Sequence, residues 1–304
     1  MLNLYWPIFK NIEKEILELS NQVHFDDNQL SIYSVKISEL LIRCSVEIES
    51  ISKDLFIKYG GQIPADEKDL YFDTDCLQLL EDKWMLSKKK VILASSNFYF
   101  QEEENKIIAP LHKANKRGTS GSDWKKAYQA VKHNRTKNLK QANLKNLIRA
   151  LAALYILNIY YRDEIHSLKD GSPASFPISL GSDLFAIKIH NLSGYDGKYA
   201  YTKETDFDEC MYFIKFTDDD IEKNKIADIE TERNLISLLK AHPKYAEIIE
   251  KEGINESSID AVNIGMMKNL SQDEYHMISR KASMGLLEVL NNTQYEAVLN
   301  KNNA

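Results

Sequence analysis

Between residues 105 and 145 the chain carries eleven lysines and arginines against one acid, Asp123. The block includes Lys125, Lys132, Arg135, Lys137 and Lys140, in a chain whose net charge is −6. A run of cations inside an acidic protein is the electrostatic footprint of a surface that meets phosphate or another anion. The same run also suits a solvated face paired with acids such as Glu102, Glu103 and Glu104. At its centre Lys132, His133, Asn134 and Arg135 set an ammonium, an imidazole, an amide and a guanidinium in a row. On an ideal helix positions two apart point roughly 200° apart. His133 and Arg135 can therefore converge only if the helix ends there, as residues 136–142 allow.

Each of these residues also has a plainer use. His133 can complement the negative end of a helix dipole and bond its last carbonyls. Arg135 can tie the helix end to an acid such as Glu47. Arg43 and Glu47, four apart, suit a pair on a helix surface. Trp124 and Tyr128 suit the core.

Other chemistries find no pattern. HExxH, CxxC, GxSxG and GxGxxG are absent, and the Gly118 and Gly121 loop lacks the spacing of a phosphate cradle. The run Asp218–Asp220 lacks the alternating oxygen ligands of a calcium loop and reads as a solvated turn. Cys44, Cys76 and Cys210 are odd in number, widely spaced and fit no zinc pattern, which points to a reducing cytoplasm. Nothing in the sequence calls for a metal or a cofactor. The start of the chain has no basic run before its apolar residues, so no signal peptide is expected. No apolar run approaches the roughly 18 residues of a membrane span.

These residues need elements to position them. With 43% hydrophobic and 28% charged residues the chain can build a core and stay dissolved. Ile8, Ile12, Ile16, Leu19 and Val23 predict an amphipathic helix over 8–23. A second helix runs from a cap at Asp26–Asn28 to about Tyr59, where Gly60-Gly61 stops it. An insert over about 62–110 carries a short helix near Thr74–Leu80 and short strands at Val91–Ala94 and Asn97–Phe100. Ser122 then caps a third helix. The fourth, roughly Ala142–His166, is apolar on more than one face, so other helices or a second copy of the chain must cover it. Homodimerisation is the expectation.

After a linker over Lys169–Ser179, the pattern changes to strands at Leu184–His190 and Cys210–Phe216. An Asp196-Gly197 hairpin lies between them, with its partner strand over Lys198–Thr202. Helices follow over Ile226–Lys251, Ser257–Lys268 and Gln272–Leu290. The fold class is therefore mainly α: a helical bundle over 1–168, then a small α+β module over 180–304.

Two segments, Ile37–Phe56 and Trp124–Tyr161, carry a resemblance. The second holds a Trp-x3-Tyr-x2-Val-Lys-His-x-Arg core followed by an Ala-, Leu- and Tyr-rich helix. They resemble the HEPN superfamily, specifically bacterial HEPN-like proteins of unknown function with a YNxIKHxR-type motif. The resemblance covers roughly the first 165 residues outside the insert. It implies an up-and-down bundle that dimerises, in a stress or phage-defence setting. It also implies a metal-independent ribonuclease whose arginine and histidine meet their twins across the dimer. Such a histidine would move the 2′-OH proton, and the arginine would stabilise the phosphorane. His133 takes the histidine position, with Arg135 beside it. The position the family gives to arginine is Tyr128, which supplies no cation. Lys125, Lys132, Asn134, Lys137 and Lys140 would hold RNA or another phosphate-bearing partner, with Tyr128, Arg43 and Glu47 in support. The competing expectation is a non-catalytic dimer whose basic segment docks an acidic protein.

Overall fold

The computed structural model describes residues 3–63, 70–168, 175–191, 203 and 205–302. The expected hairpin at Asp196-Gly197 with its strand to Thr202, and Gly171 and Pro173 of the expected linker, lie outside them. Helix α1 (Tyr5–Ser20) buries Phe9, Ile12, Ile16 and Leu19, steps of three and four that make one apolar stripe. Helix α2 (Val35–Lys58) starts at Ser34, whose hydroxyl accepts the Ile37 N–H at 3.1 Å. It ends before Gly60, which takes φ +91°.

Helix α6 (Leu144–Arg162) begins at Asn143, whose side chain accepts the Asn146 N–H at 3.0 Å. From Ala150 to Tyr160 every residue is buried. Helices α1, α2 and α5 (Asp123–Asn138) pack around it. Tyr155 and Tyr160 donate to the carbonyls of Ser179 and Asn300 at 2.8 and 2.7 Å. The cover demanded by an all-round apolar helix thus comes from within one chain.

The insert forms a π-helical turn (Phe72–Leu77), α3 (Gln78–Trp84), β1 (Val91–Leu93), α4 (Glu103–Lys106) and β2 (Ile107–Ile108). The strand expected at Asn97–Phe100 does not form. Phe98 instead makes a single bridge to Phe25, and the Tyr99 N–H bonds the Phe25 carbonyl at 2.8 Å. The strand expected at Leu184–His190 divides at Lys188. Its first half, β4 (Phe185–Ile187), pairs antiparallel with β1 in the order β2-β1-β4. Its second half, β5 (Ile189–Asn191), pairs in parallel with β6 (Tyr212–Phe216). The second sheet runs β3-β7-β6-β5, with β3 over His166–Leu168 and β7 over Tyr295–Leu299.

Phe185, Ile187, Met211, Tyr212, Ala297 and Leu299 share one hydrophobic cluster with the helices of the bundle. The expected boundary near residue 180 is therefore no break in the core. A second, smaller cluster around Leu239, Ile248, Val262 and Met266 joins the later helices. These are α7 (Asp218–Lys240), α8 (Tyr245–Glu252), α9 (Ile259–Asn269) and α10 (Gln272–Ala282), and α11 (Met284–Asn291) packs against α7 and α10. Asp218–Asp220 forms the first turn of α7, with Asp218 and Asp219 exposed as expected and Asp220 buried. There Thr217 caps the Asp220 N–H, and the carboxylates meet the positive end of the dipole. No helix among the described residues is long and apolar enough to cross a membrane.

Candidate functional site

A cleft of about 820 Å³ lies between α2, α5, the π-helical turn and the loop before α5. It is built around a buried ion pair. In the π-helical turn Asp73 points inward, with the Thr74 N–H on its Oδ1 at 2.8 Å. From the first turn of α5 comes Lys125, whose neighbour Trp124 fixes the helix by donating to the Pro110 carbonyl at 2.9 Å. The Lys125 Nζ donates to Asp73 Oδ2 at 3.1 Å, to the Ala114 carbonyl at 2.9 Å and to the Lys116 carbonyl. Side-chain exposure is 5% for Lys125 and 7% for Asp73. Burial pulls the Lys125 ammonium down and Asp73 works against that pull. Burial would raise the Asp73 carboxyl, but the Thr74 N–H, Lys125 and Arg117 outweigh it and hold Asp73 below the usual carboxylate range.

The loop wraps closely round this pair. At Gly121 an added Cβ would lie 3.0 Å from the Lys116 carbonyl oxygen and 3.1 Å from the Lys125 Cε, so a side chain there would displace one or the other. Arg117 bonds Asp73 Oδ1 through Nε at 2.9 Å and lies 3.6 Å from the centre of the exposed Tyr71 ring. The guanidinium is thereby fixed in plane and position. Lys53 on α2 and Lys126 and Lys132 on α5 face the same cleft, with Glu49 the acid beside them. Lys126 pairs with Asp123 at 2.8 Å. Lys132 sits 5.3 Å from the Tyr128 ring centre, and the Tyr128 hydroxyl raises its pKa. The cleft is therefore cationic, with one guanidinium pre-oriented and several ammonium groups at its rim.

Of the residues singled out from the sequence, Lys125 and Lys132 line the cleft, Lys125 as an interior strut and Lys132 as a rim cation. Tyr128 is buried beneath Lys132. His133, Asn134, Arg135 and Lys137 are exposed at the far end of α5 and do not line the cleft. Among the described residues neither the His133 nor the Arg135 side chain makes a hydrogen bond or ion pair, so the expected tie from Arg135 to Glu47 is absent. Asn134 leaves the helical region at φ −152°, ψ 85°. Its Oδ1 accepts the Lys137 N–H at 3.1 Å, and the Asn138 amide bonds the carbonyls of Ala130 and Asn134 across the kink. Asn134 thus serves as a cap inside α5.

Lys140 lines a separate depression with Tyr33, Asp123 and Asn143. Arg43 pairs with Glu15 of α1 rather than Glu47, which ties α1 to α2. Burial raises the Glu47 carboxyl, and Arg43 offsets this in part. Sequence reasoning counted Arg117 in the basic block but missed Asp73 and Tyr71, because the insert that carries them has no periodic pattern. Comparison of the chain with models of known families, with curated proteins and with solved structures finds no match.

Proposed function

We propose that this chain binds a phosphate-bearing ligand, single-stranded RNA in the first instance, in the cleft between α2 and α5. The observation that carries the reading is Arg117, held against Asp73 and Tyr71 while Lys53, Lys126 and Lys132 face the same space. A cleft of this volume is of the size that takes a small-molecule ligand or a nucleotide or two. A fixed guanidinium offers phosphate two parallel donors, and its plane offers a base a stacking surface. On this reading the HEPN-type resemblance extends to RNA contact. Any ribonuclease step would centre on exposed His133 with Arg135, and a stress or defence setting follows from the resemblance alone.

Fluorescence anisotropy with a short single-stranded RNA tests the binding. Arg117→Ala with Lys132→Ala is expected to weaken it at least tenfold; unchanged affinity would overturn the reading. Incubation with total RNA, comparing wild type with His133→Ala for new 2′,3′-cyclic phosphate ends, tests the chemistry separately. Equal cleavage by both proteins would remove His133 as catalyst.

A second reading, a dimeric interaction module, is favoured by the exposed side chains of Met277 and Met284. They border a groove of about 540 Å³ with Leu238, Pro243 and Ile278. Sedimentation of wild type against Met277→Glu distinguishes it. A dimer dissociated by the substitution supports the module, and an unchanged mass speaks against it.

A further inference from the structure

His190 lies on β5, the edge strand of the second sheet, with its ring 2% exposed. Its Nδ1 is 2.8 Å from Asp206 Oδ1, and its Nε2 is buried with no hydrogen-bond partner. A 3-10 turn over Phe207–Glu209 carries the chain from Asp206 to Cys210. The Cys210 N–H bonds back to the Asp206 carbonyl at 3.2 Å, so the two side chains emerge on the same side. The Cys210 Sγ lies 3.8 Å from Asp206 Oδ2. One ring nitrogen, the thiol sulfur and a carboxylate oxygen all fall within 4.8 Å of one another. Among the described residues no other group of three such side chains does so.

We propose that His190, Asp206 and Cys210 form a binding site for a zinc-type divalent transition-metal ion. Zinc bonds to nitrogen, oxygen and sulfur of about 2.0–2.3 Å place tetrahedral ligand atoms roughly 3.3–3.8 Å apart. The observed triangle reaches that geometry by shifts of about an ångström or less. An ordinary His–Asp hydrogen bond accounts for Nδ1 but leaves unexplained why the thiol converges on the same carboxylate. A soft thiolate with an imidazole selects zinc, cobalt or nickel over magnesium or calcium.

Binding replaces the Cys210 thiol proton by the metal and releases that proton to solvent. Thiolate and carboxylate then balance the two charges of the ion. His190 ligates neutral through Nδ1, the nitrogen that faces Asp206, with its proton on Nε2. The Asp206 side chain is 45% exposed, which gives the ion its route in and leaves a fourth position for water. Bound there, the ion clamps the turn after Asp206 to the edge strand.

Cobalt(II) titrated into the full-length, chelator-treated chain tests the site. One equivalent is expected to give a sulfur-to-cobalt charge-transfer band that zinc displaces, and zinc is expected to raise the melting temperature. The band is expected to vanish in Cys210→Ser and persist in Cys44→Ser and Cys76→Ser. Asp206→Asn and His190→Gln, checked for folding by circular dichroism, are expected to weaken cobalt binding. The loss should be at least the roughly tenfold seen when a metal ligand loses only its hydrogen-bond partner. Absence of the band in folded wild type overturns the site. So does a band that survives Cys210→Ser or follows Cys44 or Cys76. If Cys210→Ser does not fold, unchanged cobalt affinity in the Asp206 and His190 variants overturns it.

Discussion

A lysine taken out of water must be answered by something, and two lysines here are answered differently. Lys125 meets a carboxylate and two carbonyls. Asp73→Asn would leave that ammonium without its counter-charge and Arg117 without its anchor. The expected cost is about 2–3 kcal/mol in urea unfolding, with weaker RNA binding. Because the folded-state pKa of Asp73 is depressed, its contribution is full above the ordinary carboxylate pKa. It fades as pH falls through the folded value, so the variant should lose part of the acid-unfolding slope.

Lys89, 1% exposed, donates to the Cys210 carbonyl at 3.1 Å and forms no ion pair among the described residues. Burial pushes its pKa down from 10.5 to about 8. Above about pH 8 the folded state binds fewer protons than the unfolded chain, so this residue makes stability rise with pH up to about 10.5. Lys89→Met should flatten that rise and be more stable than wild type by about 1–2 kcal/mol at pH 7. The Cys210 carbonyl keeps a donor in Asn300, so the change orphans nothing. Unfolding midpoints across the alkaline range decide it, and parallel curves would refute the assignment.

At the scale of elements, α5 shows what a sequence discloses and what it conceals. Its apolar stripe through Trp124, Tyr128 and Val131 is legible because burial imposes a period of 3.6 on local residues. Its kink is not, since it arises where the Asn134 and Asn138 side chains replace helical hydrogen bonds. Asn134→Ala should cost about 1 kcal/mol, the usual worth of a cap. His133→Ala, on the same exposed turn, should stay within about 0.5 kcal/mol of wild type. Differential unfolding of the two variants measures both.

The strands fared worse for a related reason. Leu184–His190 alternates like one strand, yet β4 and β5 join different sheets, and β7, at Tyr295–Leu299, comes back to sit between β3 and β6. Pairing partners so distant leave no local mark. The same holds for Asp73 with Lys125, and for His190 with Asp206 and Cys210. Asp73 comes from a different element than Lys125, and His190 from a different element than the Asp206–Cys210 turn, so no short spacing encodes either meeting.

For the whole molecule the deciding quantity is how much of the basic block meets a ligand at once. Eleven cations fall between residues 105 and 145, but the fold disperses them. Lys125 is interior, Lys140 faces another depression, and Arg135 and Lys137 lie beyond the kink. Of the block the cleft retains Arg117, Lys126 and Lys132 as accessible cations, and Lys53 of α2 joins them. Arg117 and Lys126 already hold Asp73 and Asp123, so a phosphate there partly exchanges one anion for another. Two to four phosphates neutralised on single-stranded RNA give a slope of log affinity against log salt of about −1.5 to −3. Engagement of the whole block would give roughly −8 by the same relation. A measured slope in the smaller range places the RNA in the cleft. A slope near the larger value means that the strand wraps the surface around α5, and a slope near zero removes phosphate contact from either place.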